Sequence, residues 1–221
     1  SLQNAGFTAK RISFPPGETS KTLSVLGGVY RELSDFGVTR SDVIVTLGGG
    51  VPGDLGGFAA ATYLRGIPLV HIPTSFLAQI DSSVGGKVAV DLPMGKNLVG
   101  NFYQPAGVII DPDLIDSLLV RFLYDGMAEA IKYGCIRSSR LFELLEIIQD
   151  IEALDRRLEQ TTYECCIIKS RIVARAEYNL GDRMQLTFGP TLGRAAEAFF
   201  HYYNFSHGES RTVDMSMVTE R

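Results

Sequence analysis

The stretch DVIVTLGGGVPGD, Asp42 to Asp54, decides how the chain is read. Its first half is a short β-branched run without polar alternation, the pattern of a buried parallel strand. It runs straight into glycines, and Gly48, Gly50 and Gly53 fit G-x-G-x-x-G. Such a turn lets the backbone approach a pyrophosphate and offers it the N–H groups of the helix that follows. A structural strand-to-helix turn would give the same pattern. Asp54, directly after the third glycine, departs from the usual fingerprint. A carboxylate there repels phosphate and suits a ribose hydroxyl or a nicotinamide amide.

Around this core the chain alternates. Residues 21–36 place Leu23, Leu26, Tyr30, Leu33 and Phe36 near a helical period, and Gly57 to Arg65 reads as a helix. Ile67 to Thr74 and Gly107 to Pro112 read as further strands. Strand–helix–strand alternation predicts an α/β domain with a parallel sheet. After about residue 118 glycine becomes sparse. Leu141, Leu144, Leu145, Ile148 and Ile151 fall at helical spacing, as do Tyr163, Cys166, Ile167 and Ala174. The division expected is α/β over residues 1–118 and mainly helical over 119–221.

Composition narrows the function. Of 23 glycines, 12 lie in residues 48–107, which hold only six of the 46 Asp, Glu, Lys and Arg residues. That combination suggests a backbone surface lying close to a ligand, with a few charges set on it. Hydrophobic residues at 45% and charged residues at 21% describe an ordinary globular protein. A net charge of −4 argues against a nucleic-acid surface. No apolar run approaches the ~18 residues of a membrane span. Ser1 to Phe14 lacks the charged and apolar regions of a signal peptide. Cys135, Cys165 and Cys166 have no C-x-x-C spacing and read as small buried apolar residues in a reducing compartment.

Four further groups carry chemistry. In DSSVGGKVAVDLPMGKN, Asp81 to Asn97, Lys87 and Lys96 each follow a glycine in a loop otherwise poor in charge, as point charges for phosphate or carboxylate would. Glu129 and Lys132 in AEAIKYG form an i,i+3 pair, either a surface ion pair or a metal-binding or acidic Glu beside an anion-binding Lys. Lys169 borders an apolar stripe, where a snorkelling side chain is the default, and is considered with Arg183. His207, before a glycine, is a candidate metal ligand.

Together these segments resemble the 3-dehydroquinate synthases, a family of sugar-phosphate cyclases. The matching blocks are PPGETSK (15–21), VTLGGGVPGDLGGFAAATYLRGIP (45–68), PTSFLAQIDSSVGGK (73–87), GKNLVGNFYQP (95–105), GMAEAIKYG (126–134) and HGE (207–209). The family's chain extends further at both ends. The resemblance implies an N-terminal NAD-binding α/β domain, a C-terminal helical metal-binding domain, a homodimer and a cytoplasmic location. It implies a lyase of the shikimate pathway that converts a heptulosonate phosphate to 3-dehydroquinate and phosphate, with NAD and a divalent metal, Zn or Co. A sibling cyclase with another sugar phosphate and an impaired NAD-binding homologue are the alternative readings.

By the same resemblance, Glu18, Lys21, Gly48, Gly49, Gly50, Asp54, Thr74, Ser75 and Lys96 are NAD contacts. Asp81 and Asn97 bind hydroxyls near the nicotinamide. Lys87, Lys132, Lys169 and Arg183 bind substrate, Arg65 reaches the neighbouring subunit's phosphate, and Glu129 and His207 are two of three metal ligands. The family's H-T-x-G-H, however, reads here Pro190-Thr191-Leu192-Gly193-Arg194. Proline offers no donor atom where the third ligand is expected, and arginine is no base at neutral pH. Asn179 and Thr187 also replace an expected glutamate and asparagine.

Overall fold

The structure is a computed structural model and describes residues 2–176. Arg183, His207, the altered segment Pro190–Arg194, Asn179 and Thr187 lie outside the described residues. Contacts between Cα atoms divide the chain into two compact units. The first is Ser1–Thr46, Val51–His71 and Gly86–Gly107; the second is Leu47–Gly50, Ile72–Gly85 and the chain from Val108 onward.

A three-stranded sheet has the order β1 (Ile44–Gly48), β2 (Leu69–Pro73), β5 (Gly107–Val108). Ile44 N donates to Pro68 O and Thr74 N to Gly48 O, both at 2.9 Å, so residue numbers rise together along both strands. The β1–β2 pair is therefore parallel, and helix α2 (Gly50–Thr62) makes the crossover. The expected parallel α/β architecture is present. The expected burial of β1 on both faces is not: Val43, Val45 and Leu47 are exposed while Thr46 is buried. One face packs beneath α2, where a Cβ on Gly56 would meet Thr46 and Ile44. Among the described residues the opposite face is left open.

In the first unit, α1 (Leu23–Asp35) is capped by Thr22, whose Oγ1 accepts from Val25 N at 3.3 Å. Its buried stripe is Leu26, Val29 and Leu33. Leu23 and Phe36, expected on that stripe, are exposed, because the i, i+3, i+7 row through Val29 faces the core instead. That row packs with Leu55, Phe58, Ala59 and Ala61 of α2 and with Val88 and Val90 of β3 (Lys87–Leu92). Strand β3 pairs antiparallel with β4 (Gly95–Phe102), matching Lys87 with Phe102 and Ala89 with Gly100. Residues 87–97 thus form a hairpin rather than the glycine-rich loop expected. The alternation Val88–Ala89–Val90 was the available signal. Beneath α2, His71 Nδ1 lies 2.6 Å from Thr46 Oγ1, and burial pushes its pKa down, so it is neutral at pH 7.

In the second unit, α3 (Val120–Arg137), α4 (Ser139–Glu146), α5 (Ile151–Asp155) and α6 (Leu158–Ala176) enclose a core of Phe76, Ile80, Tyr133, Leu141, Leu145, Leu154 and Ile168. Ser138 and Asp150 cap α4 and α5. The expected apolar faces hold in α4 through Leu141 and Leu145, but Ile151 lies beyond the helix end and is exposed. In α6 the buried face is Leu158, Thr161, Thr162, Cys165, Ile168, Lys169 and Ile172, whereas Tyr163 and Ala174 are exposed. The face was misread because its core side carries threonines and a lysine. Cys165 is buried, but Cys135 is exposed, against expectation.

A methyl group on Gly57 would overlap Val88 Cγ1 and stand 3.5 Å from the His71 ring. Gly57→Ala is therefore expected to destabilise the protein by about 1–3 kcal/mol through overpacking. A lower urea midpoint with an unchanged slope checks this.

Candidate functional site

Three arrangements gather the residues expected to act. In the second unit, β1 ends at Gly48, whose φ of +148° is open to glycine, and α2 starts at Gly50. Pro52 is tolerated in the helix's first turn because that N–H has no intrahelical partner. A Cβ on Gly49 would lie 3.3 Å from Ser75 Oγ, and one on Gly50 would lie 3.6 Å from Ser82 Oγ. The glycine backbone therefore runs directly over two hydroxyls. Thr74 N ties the strand end down through Gly48 O at 2.9 Å. Gly48, Gly49, Gly50, Thr74 and Ser75 are thus brought together.

In the first unit, Lys21 gathers the charges. Only 4% exposed, it stands 2.6 Å from Asp54 Oδ2, 3.5 Å from Glu18 and 4.0 Å from Asp91. Lys96 stands 3.8 Å from Glu18. The chain arrives here by three routes: Glu18 and Lys21 before α1, Asp54 early in α2, and Asp91 and Lys96 on the hairpin. Backbone pairing fixes the register, with Asp91 N donating to Lys21 O at 2.7 Å. Burial alone would lower the Lys21 pKa; the Asp54, Glu18 and Asp91 carboxylates outweigh it and the net shift is upward. Burial raises the pKa of Asp54, opposed by Lys21 and reinforced by Glu18 and Asp91. The two shifts agree: the carboxylates that hold the proton on Lys21 also resist charge on Asp54. Glu18, Lys21, Asp54 and Lys96 are therefore brought together.

Asp91, given no role by the sequence, belongs to this cluster. Its Oδ1 accepts from Asn97 N at 2.7 Å, holding Asn97 at a φ of +56°. Its signal was its place at the end of the alternating β3 segment, in a region with so few charges. Asn97 and Lys87 are exposed on the hairpin. Arg65 is exposed at a φ of +66°, following Leu64 at +51°, whose carbonyl accepts from Arg40 Nε at 3.0 Å.

The third arrangement is a buried network in the second unit. Asp81 lies on a π-helical turn, Ala78–Ser82, closed by Ser83 N donating to Ala78 O at 3.1 Å. Asp81 Oδ1 accepts from Tyr133 Oη at 2.8 Å and from the Lys169 ammonium. Lys169 Nζ also donates to Asp81 O at 2.7 Å. On α3, Lys132 Nζ is bonded to Glu129 Oε1 and lies 4.9 Å from the centroid of the Tyr133 ring. Glu129 and Lys132 are each 1% exposed, so the pair is no surface ion pair, and Lys169 is buried rather than snorkelling. Asp81, Glu129, Lys132 and Lys169 are thus brought together, and Tyr133, which the sequence did not single out, links them. Burial opposes charge on Asp81. Lys169, Lys132 and the Tyr133 hydroxyl outweigh it, holding this carboxyl well below the usual range. Burial and the Asp81 charge push Tyr133 well up, so its hydroxyl stays a donor. Burial pushes Cys166 up to about 11, leaving it a thiol at neutral pH.

Two family models cover the chain from residue 11 to its end. The one described as 3-dehydroquinate synthase N-terminal matches residues 11–125, and the one described as 3-dehydroquinate synthase C-terminal matches residues 126–221. The chain belongs to the 3-dehydroquinate synthase family. It is 53% identical over 219 residues to a 3-dehydroquinate synthase of Clostridium perfringens, covering 99% of this chain and 63% of that relative. Its fold is similar to the crystal structure of 2-deoxy-scyllo-inosose synthase complexed with carbaglucose-6-phosphate, NAD+ and Co2+. The TM-score is 0.81 and the identity 32%, covering 92% of this chain and 56% of that one. It is also similar to 2-epi-5-epi-valiolone synthase from Streptomyces hygroscopicus with NAD+ and Zn2+ bound, at TM-score 0.79 and 27% identity, covering 91% and 57%. The chain spans about 60% of the length of the curated relatives it matches.

The family's two cofactors can be tested against the residues in place. The Gly48–Gly50 turn fits a dinucleotide: it is a cradle that a side chain at Gly49 would fill, at the start of a helix with free N–H groups. A metal is not accommodated by the described residues alone. Among them no three His, Cys, Asp or Glu side chains are grouped so that they could hold a metal ion. Of the two ligands expected, Glu129 is described, with its Oε1 bonded to Lys132, and His207 is not.

Two outcomes follow for stability. Lys21→Ala removes the cation from a nearly buried carboxylate and is expected to cost about 3 kcal/mol. Chemical denaturation measures this, and Lys21→Ala/Asp54→Ala recovers part of it. Asp81 has a depressed pKa when folded, so it contributes stability that is present above about pH 4 and is lost as pH falls further. In urea melts, the loss of unfolding free energy between about pH 5 and about pH 3 is expected to be smaller in Lys169→Met than in the native chain.

Proposed function

We propose that the whole protein is an NAD-dependent 3-dehydroquinate synthase: a carbon–oxygen lyase that converts 3-deoxy-D-arabino-heptulosonate 7-phosphate to 3-dehydroquinate and phosphate. The buried Asp81–Lys169–Tyr133 network beside Glu129–Lys132 is the observation that carries the reading. Buried ion pairs contribute little net stability. Four polar groups expected to act from separate segments meet there, which supports their use on a ligand. The curated relatives at about 50% identity support the substrate.

In this reading Gly48, Gly49 and Gly50 hold the dinucleotide's pyrophosphate against the α2 N–H groups, with Thr74 and Ser75 beside it. Glu18, Lys21, Asp54 and Lys96 take its hydroxyls and polar edges. Bound NAD would supply reversible hydride acceptance from a secondary alcohol. Asp81, kept ionised, accepts a hydroxyl hydrogen bond, and Asn97 is assigned the same task. Lys132 and Lys169, each beside the carboxylate it neutralises, bind substrate oxygens. Lys87 and Arg183 hold phosphate and carboxylate as cations, and Arg65 serves a neighbouring subunit's phosphate in a homodimer. Glu129 and His207 are the residues assigned to a divalent metal. The division into residues 1–118, which bind NAD, and 119–221, which hold substrate and metal, belongs to the same reading. The boundary between the two family models at residues 125 and 126 supports it. A cytoplasmic location belongs to the same reading.

With heptulosonate phosphate, NAD+ and Zn2+, the whole protein is expected to release inorganic phosphate. Release no greater than from a Lys87→Ala control would sink the reading. A different heptose or hexose phosphate as the sole substrate would point to a sibling cyclase. Gly49→Val is expected to weaken NAD+ binding at least tenfold by calorimetry, because its side chain fills the space over Ser75.

A further inference from the structure

Tyr133 is fully buried, yet its hydroxyl is spent on one atom of one carboxylate. Its Oη donates to Asp81 Oδ1 at 2.8 Å, and the Lys169 ammonium donates to the same oxygen. Among the described residues Asp81 Oδ2 receives no donor, and the Asp81 side chain is 26% exposed. A carboxylate bonded twice through one oxygen has lost its freedom to turn, and its other oxygen keeps its lone pairs for a ligand. The ring does further work, since Lys132 Nζ lies 4.9 Å from its centroid while held by Glu129. One side chain thereby orders Asp81 from α3 and lines the Lys132 ammonium.

We propose that Tyr133 is a positioning residue: its hydroxyl, together with Lys169, pins Asp81 by Oδ1 and so presents Oδ2 as the acceptor for a bound hydroxyl group. This deepens the reading of Asp81 given above and rests on it. A phenol suits the task better than a second ammonium. It adds a donor without adding charge, and its rigid ring belongs to the core cluster that holds Phe76, Ile80 and Leu141. The groups around Asp81 are Lys169 from α6 and Lys132 and Tyr133 from α3; Glu129 and Cys165 lie around Tyr133.

Tyr133→Phe keeps the ring and removes the hydroxyl. In the whole protein, kcat/KM is expected to fall about tenfold, the size of one hydrogen bond to a charged group. Made on top of Asp81→Asn, the same substitution is expected to change kcat/KM less than twofold. A packing role would cost the same in both backgrounds. Losing a donor to the ionised form also makes Asp81 easier to protonate, so the acid limb of the kcat/KM profile moves to higher pH. Carboxyl 13C NMR of aspartate-labelled protein, with the Asp81 signal assigned by Asp81→Asn, reads that shift without turnover. Equal losses in both backgrounds, or an Asp81 titration identical to that of the native chain, overturn the proposal. If the native protein releases no phosphate from the heptulosonate, the functional reading fails, and the NMR titration still decides the role of Tyr133.

Discussion

Three lysine ammonium groups lie out of water in this protein, and each lies against a carboxylate: Lys21 on Asp54, Lys132 on Glu129 and Lys169 on Asp81. A buried charge without a partner costs more than a marginally stable fold can bear. Two of the pairs therefore dictate that separate segments be held in register. For Lys21 and Asp54, the segment before α1 must meet α2, and the Asp91–Lys21 backbone bond sets the hairpin against them. For Lys169 and Asp81, α6 must meet the π-helical turn. The Lys132–Glu129 pair is one turn of α3 and constrains only what packs on it.

These pairs are poor investments in stability alone. A well-packed apolar pair of similar volume would do as well or better. Charge buried in water-poor surroundings is valuable when a ligand brings complementary charge or hydrogen-bond donors, because the protein groups are already ordered. The glycines shape a surface of another kind. Gly49 and Gly50 lie over Ser75 and Ser82, tightly at Gly49, so backbone rather than side chain forms the surface of the turn.

Much of this was legible before folding. The β1–turn–α2 unit followed from a β-branched run meeting a G-x-G-x-x-G spacing. The scarcity of charge around the glycines marked Lys87 and Lys96, the place after the third glycine marked Asp54, and the family resemblance marked Asp81. The β3–β4 hairpin was legible only in part, because Gly85, Gly86 and Gly95 disguise its alternating segment as loop. The buried face of α6 was not legible. Lys169 faces inward because Asp81 awaits it, and Thr161 and Thr162 are buried although their hydroxyls find no partner among the described residues; hydropathy alone assigns such residues outward.

The amino-acid sequence by itself determined the parallel α/β element pattern, the glycine turn, the family and the identity of the charged residues. These are local properties: periodicity, turn chemistry and motif spacing act over a few residues. Only the tertiary structure decided which charges are partners. Asp81 and Lys169 are 88 residues apart in the chain, and Asp81 and Tyr133 are 52 apart. It also recruited Asp91, whose local mark was only its place among few charges, and Tyr133, which carried none. Desolvation is the reason. A charge reveals its partner only once both have left water, and the path of the backbone through the fold decides which pairs do.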